Sequence, residues 1–186
     1  MMISSTAGGR GRLGPALKAV TASLAVGMTT IACVPTSPEA GGLVGLTVDE
    51  AGHLAAVISW CARAAPDSVV VYRRGDDGDS KVAELKNTSL TGGIAFVDLE
   101  ETAPGWSVTR GGLRLTNGQT YSVMAYAGDV HAQENYLVYP GPAFTMDAKK
   151  EIPPGRVLTE RYEARGQADA TLSIADFTVK ARGFCR

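Results

Sequence analysis

Two histidines, His53 and His131, and three cysteines, Cys33, Cys61 and Cys185, carry the sharpest chemistry in this 186-residue chain. Nucleophilic catalysis needs a hydroxyl or thiol beside a base that a third group orients. The raw material for that is Ser59, Asp98, His53 and His131. No serine stands in a strained Gly-x-Ser-x-Gly elbow. His53 opens an apolar run and His131 lies in a polar one, so both read as solvated or partly packed imidazoles, and no catalytic residue is assigned. Cys61 and Cys185 have no His or Cys at the short spacing of a zinc site. Asp76-Asp77-Gly78-Asp79 offers the oxygens and glycine of a calcium loop, but the twelve-residue pattern with its closing Glu is missing, so it reads as a solvated turn. Glu84 and the neighbouring Glu100 and Glu101 form no evident acid–base couple. Neither a metal nor a cofactor is assigned.

Two short motifs read as chance: Arg74-Gly75-Asp76, the tripeptide that integrins recognise, and Asn87-Thr88-Ser89, a formal glycosylation sequon. Gly92-Gly93 and Gly111-Gly112 are isolated pairs without the context of a phosphate-binding loop. Eighteen basic and 19 acidic residues give a net charge of −1. That balance argues against nucleic acid as a partner and against a disordered acidic tail. An apolar content of 45% suits one globular domain.

The amino-terminal stretch decides how the cysteines are read. Ala19–Cys33 (AVTASLAVGMTTIAC) is an apolar run behind a basic, acid-free leader carrying Arg10, Arg12 and Lys18. This is the layout of a secretory signal, and it is shorter than the ~20 apolar residues of a spanning helix. Thr30-Ile31-Ala32-Cys33 resembles the box of bacterial lipoproteins, with Thr30 where that family prefers Leu. The resemblance implies a signal peptide over residues 1–32, acylation of Cys33, and export to the outer face of the cell membrane on a lipid anchor. Without acylation the chain would be secreted. A lipidated Cys33 leaves Cys61 and Cys185, either paired as a disulfide or standing as separate buried thiols. A bridge would close a loop of ~125 residues and contribute roughly 4–5 kcal/mol at best. Val34–Gly42 (VPTSPEAGG) is rich in Pro, Gly, Ser and Thr, so residues 33–42 read as a flexible tether.

From Leu43 onward the chain becomes short runs separated by turn signals. Strands are expected over Leu43–Val48, His53–Cys61, Ser68–Arg73, Ile94–Leu99, Gln119–Ala127 and Pro142–Met146, with Lys81–Leu85 as an edge strand and Trp106–Thr109 pairing with a neighbour. In His53–Cys61, either Leu54, Ala56, Ile58 and Trp60 or the opposite set faces inward. Tyr121, Val123, Ala125 and Ala127 share one face. Regularly spaced strands without intervening helical patterns predict a mainly β chain, a sandwich.

Ala56–Trp60 (AVISW), Val69–Arg73 (VVVYR) and Leu115–Tyr121 (LTNGQTY) together resemble a fibronectin type III domain of the immunoglobulin-like class. The first patch resembles its second strand with an inward Trp, the second its third strand, and the last its tyrosine corner, with Asn117 in place of Pro. The resemblance implies a β-sandwich over residues 43–146 in which the Tyr121 hydroxyl bonds to upstream backbone. Residues 147–186 form a carboxy-terminal extension. Arg156–Ala164 reads as a strand. Ser173–Arg182 reads as a helix capped by Ser173 and stopped by Gly183, with Ile174, Phe177 and Ala181 on one face. It also reads as a strand, because Phe177, Val179 and Ala181 alternate. Cys185 would tie this extension to the strand ending at Cys61.

Gly128–Pro142 joins two late strands and carries Tyr136, Leu137 and Tyr139. These are the candidate partner-binding residues, because tyrosine supplies contact area at low entropy cost; the other reading has them pack the final strand. The expected function is a non-enzymatic binding or scaffolding module at the outer face of the membrane, with an envelope protein or a glycan as partner. The alternatives are an envelope hydrolase built from Ser59, Asp98, His53 and His131, and a subunit that pairs through an exposed edge near Lys81–Leu85.

Overall fold

Gly41 sits where the chain passes from one β-sheet to another, and the two halves of its peptide serve different sheets. In the computed structural model its N–H donates to the Val138 carbonyl at 3.0 Å, while its own carbonyl accepts from Cys61 N at 3.0 Å. The structure describes residues 38–61, 65–128, 136–163 and 166–185, with backbone alone at 161–163 and 166–168. Residues 1–37, which hold the expected signal peptide, Cys33 and half of the expected tether, and His131 lie outside the described residues.

In chain order the elements are β1 (Glu39–Ala40), β2 (Gly42–Val48), β3 (Leu54–Trp60), β4 (Ser68–Arg73), β5 (Ser80–Lys86), β6 (Ile94–Asp98), β7 (Ser107–Gly111), β8 (Tyr121–Ala127), β9 (Leu137–Tyr139), β10 (Ala143–Phe144), a 3-10 turn (Met146–Lys150), β11 (Arg156–Glu163), β12 (Gly166–Ser173) and the helix α1 (Ile174–Arg182). The larger sheet runs β1-β9-β8-β4-β5-β7, with β10 also on β8, and the smaller runs β12-β11-β2-β3-β6. Among the described residues the protein is therefore mainly β, two sheets with one short carboxy-terminal helix.

The shared core explains the inward faces. Val44 and Leu46 of β2, Leu54, Ala56, Ile58 and Trp60 of β3, Val69 and Val71 of β4, and Tyr121, Val123, Ala125 and Ala127 of β8 all bury into one cluster. Strand side chains alternate between faces, so each set of every second residue meets the opposite sheet. The expectation for β8 holds residue by residue.

In β3 the inward set is Leu54, Ala56, Ile58 and Trp60, one of the two expected, and the opposite face is buried as well. The outward residues Leu43 and Val57 form a second cluster with Val157, Phe177 and Ala181. The extension thus supplies a third layer. Its hairpin β11–β12 extends the smaller sheet at the β2 edge, with Leu158 opposite Leu46. Its last segment is a helix, not a strand. Ser173 Oγ accepts from Asp176 N at 3.1 Å and donates to Asp176 Oδ2 at 2.6 Å, and Gly183 ends the helix. A side-chain cap of this kind satisfies a backbone N–H that the first helical turn cannot. Cys185, just beyond α1, is disulfide-bonded to Cys61 at the end of β3, with Cα atoms 5.4 Å apart.

Two expectations need correction. Glu39–Gly42, read as the end of a tether, are sheet residues: β1 runs parallel to β9, and Gly42 pairs with Trp60. The glycines that read as flexibility serve close approach, since a Cβ on Gly41 would lie 2.6 Å from Tyr139 Cζ. Lys81–Leu85 is not an edge, because β7 pairs along the far side of β5. The edge is β7 itself, whose residues are all exposed.

The pairing of β8 with its last partner is broken in the middle. β9 and β10 both lie on β8, separated by Pro140-Gly141-Pro142. Neither proline can donate to the ladder. The Pro140 carbonyl instead accepts from Val44 N of the other sheet at 2.9 Å. A Cβ on Gly141 would sit 2.5 Å from the Val123 carbonyl oxygen, so only glycine fits the break.

Candidate functional site

Three places in the fold gather the side chains to be weighed. Tyr139 is fully buried in the shared core, and burial together with the Asp67 charge pushes its phenol up to about 12. Its ring fills the space above Gly41 and is closed to a partner, so it is a packing residue. Leu137 is half-buried in β9 and packs on the same core. Tyr136 stands outside it, with its ring centroid 6.4 Å from that of Tyr126.

That contact leads to a tyrosine group the sequence did not single out. On the outward face of the larger sheet, the Tyr72 and Tyr126 hydroxyls lie 3.1 Å apart, and Tyr126 Oη donates to Met124 Sδ at 3.2 Å. Met124 pairs with Val70, which lies between the two tyrosines in register. Desolvation, then the Tyr72 hydrogen bond, pushes the Tyr126 phenol far above its ordinary value. Tyr72, Tyr126 and Tyr136 thus form an aromatic face over β4, β8 and the start of β9. Alternation along each strand was the usable signal: Tyr72 and Tyr126 both fall on the outward register.

The second place is the turn between β2 and β3. Asp49 N donates to the His53 carbonyl at 3.0 Å, and Gly52, with φ +85°, lets the chain reverse. His53 Nδ1 then lies 3.2 Å from Asp98 Oδ2, at the end of β6, and 3.7 Å from Asp49 Oδ2. Desolvation pulls the imidazole pKa down. The Asp98 hydrogen bond and the charges of Asp49, Asp98 and Glu101 outweigh it, so the net shift is upward. Beside this cluster, Glu100 accepts from Leu54 N at 2.7 Å and from Lys149 Nζ at 2.9 and 3.0 Å. It thereby fastens the 3-10 turn to the head of β3. Desolvation raises its pKa, but the Lys149 and Leu54 hydrogen bonds win and hold it below the ordinary value. A cleft of about 720 Å³ opens here, bordered by Asp49, Asp98, Glu101 and Phe96, the last 48% exposed.

Ser59 is not part of this cluster. It lies six residues along β3 from His53, roughly 20 Å at strand rise, and donates to the Gly93 carbonyl at 3.3 Å. The structure therefore brings His53 and Asp98 together and leaves Ser59 apart.

The third place is the carboxy-terminal layer. A cavity of about 310 Å³ lies between the Pro140–Gly141 break and the end of α1, bordered by Leu43, Val44, Thr159, Lys180 and Phe184. Lys180 Nζ reaches across to the Glu160 carbonyl at 2.6 Å. Among the described residues, no helix is long and apolar enough to cross a membrane.

Comparison with known proteins leaves these features to be interpreted on their own terms: the chain matches no family model, no curated protein and no solved structure.

Proposed function

We propose that this chain is an exported, lipid-anchored, non-enzymatic binding or scaffolding module of the fibronectin type III and immunoglobulin-like kind, held at the outer face of a cell membrane. The observation that carries the reading is the Cys61–Cys185 bond across 124 residues. Structural disulfides persist in oxidising compartments and are rare in the cytosol. The bond agrees with the basic leader, the apolar run and the small residue before Cys33.

The fold-level assignment draws on two details. Thr116 N donates to Tyr121 Oη at 2.9 Å, the upstream backbone bond of a tyrosine corner. Trp60 lies inward on the second long strand of the smaller sheet. The partner surface in this reading is Tyr72 and Tyr136, the half-buried rings on either side of the buried Tyr126, and an envelope protein or a glycan is its occupant. Aromatic side chains are enriched at interface centres. A single acyl chain holds only marginally, so stable attachment through Cys33 requires more than one.

Fractionation tests the anchor. The unsubstituted chain is expected with the membranes, and Cys33→Ser is expected in the soluble exported fraction. Membrane association that survives Cys33→Ser contradicts the reading.

A further inference from the structure

We propose that Asp49, His53 and Asp98 form a binding site for one divalent transition-metal cation of the zinc class. Three donors of two chemical kinds converge there: an imidazole nitrogen and one oxygen from each of two carboxylates, all within 4.8 Å of one another.

Both carboxylates are divided in the same manner. Asp49 Oδ1 accepts from His53 N at 2.7 Å, and Asp98 Oδ1 accepts from Glu100 N at 2.7 Å and Glu101 N at 2.9 Å. Those bonds fix each side chain by one oxygen. The second oxygen of each then faces His53 Nδ1, at 3.7 Å from Asp49 and 3.2 Å from Asp98. Both carboxylates are held by backbone N–H groups, so little ordering of them remains to be done on binding.

The spacing suits the cation. A tetrahedral ion with bonds of about 2.1 Å sets its ligands about 3.4 Å apart. The two separations from His53 Nδ1 bracket that value, and the two carboxylate oxygens lie within 4.8 Å of each other. Calcium and magnesium take shells of oxygen, whereas an imidazole nitrogen beside carboxylates suits zinc and its neighbours. The local charge points the same way. Two carboxylates face one imidazole, Glu101 adds its field from the same cleft, and Lys149 is engaged by Glu100. Asp49 and Asp98 border the open cleft, and the Asp49 and His53 side chains are 41% and 32% exposed, so solvent reaches the donors and supplies a water for the fourth position.

The cation would tie the β2–β3 turn to the end of β6. β3 would then be fastened at both ends, by the disulfide at Cys61 and by the metal at His53. This inference does not depend on the proposed anchor or on the identity of any partner.

The test uses the full chain, stripped with a chelator and titrated calorimetrically with Zn²⁺, with Mg²⁺ in parallel. One Zn²⁺ per chain is expected at micromolar affinity or better, with no saturable Mg²⁺ binding over the same range. Asp98→Asn and His53→Gln are each expected to weaken binding by about tenfold or more. Asp98 also holds two backbone N–H groups, so a second measurement on the unsubstituted chain guards against misfolding: the His53 ring resonances are expected to shift on zinc addition. The proposal is overturned by absence of one-to-one zinc binding, by affinity unchanged in both variants, or by His53 resonances that stay in place when zinc is bound.

Discussion

The ring of Phe177 closes directly over Gly45: a Cβ built there would lie 3.0 Å from Phe177 Cε2 and 2.3 Å from Val157 Cγ1. A helix reaches a sheet this closely only where the sheet offers a bare backbone. The pair explains how α1 covers the outer face of β2 and β3 and why both strands are buried on two sides. Gly45→Val is expected to destabilise by about 1–3 kcal/mol through overpacking. Phe177→Ala is expected to cost about 3–5 kcal/mol by emptying the same site. Because the residues share one contact, the double variant should depart from additivity. Urea unfolding of the three variants measures all of this.

The disulfide holds that layer in place from its far end. Cys185→Ser is expected to lower unfolding stability by up to about 4–5 kcal/mol, the value for a loop of this length. It should also raise hydrogen exchange in α1 above that in β4 and β8, which the bond does not touch. Uniform exchange changes across both sheets would argue against a local staple.

The hydroxyl of Tyr121 has a narrower task. It accepts from Thr116 N at 2.9 Å and lies 3.2 Å from Thr116 Oγ1. Tyr121→Phe keeps the ring in the core and leaves the backbone donor without this acceptor. The expected loss is about 1–2 kcal/mol, read as a lower denaturant midpoint at unchanged slope.

His53 makes stability depend on pH when chelator keeps metal away. Its folded pKa is raised above 6.5, after desolvation is outweighed by Asp98, Asp49 and Glu101. The folded state therefore binds the proton more tightly than the unfolded chain. That contribution is complete below about pH 6.5 and fades as the pH rises through the folded value. His53→Gln should flatten the stability curve in this window and leave it unchanged well above it. Denaturation midpoints collected between pH 5 and pH 9, a range that spans the ordinary histidine value of about 6.5, check this.

The strands were legible where residue type or the turn signals are sharp. Ser68–Arg73 is rich in β-branched residues, Tyr121, Val123, Ala125 and Ala127 fall on one face, and Asn117-Gly118 marks a reversal. The helix was visible through Ser173, Gly183 and the spacing of Phe177 and Ala181, although its strand-like alternation needed the cap geometry to decide it. Other features depend on contacts far apart in sequence. β12 is mostly polar and gains its place by pairing with β11 and by packing Leu172 on the outer cluster. β5 reads as an edge until β7, from a different stretch, covers it. Tyr139 looked like a recognition residue because nothing local shows that Gly41 makes room for its ring. The His53 cluster was half visible: Asp49 and His53 flank one turn, but Asp98 arrives from 45 residues away, and no short motif encodes that meeting.

Export on a lipid anchor would make Cys33 the first residue of the chain as cells keep it. Mass spectrometry of protein recovered from cells should find an amino-terminal peptide beginning at Cys33 and carrying acyl mass, with Met1–Ala32 removed. A chain that retains Met1 and an unmodified Cys33 would contradict it.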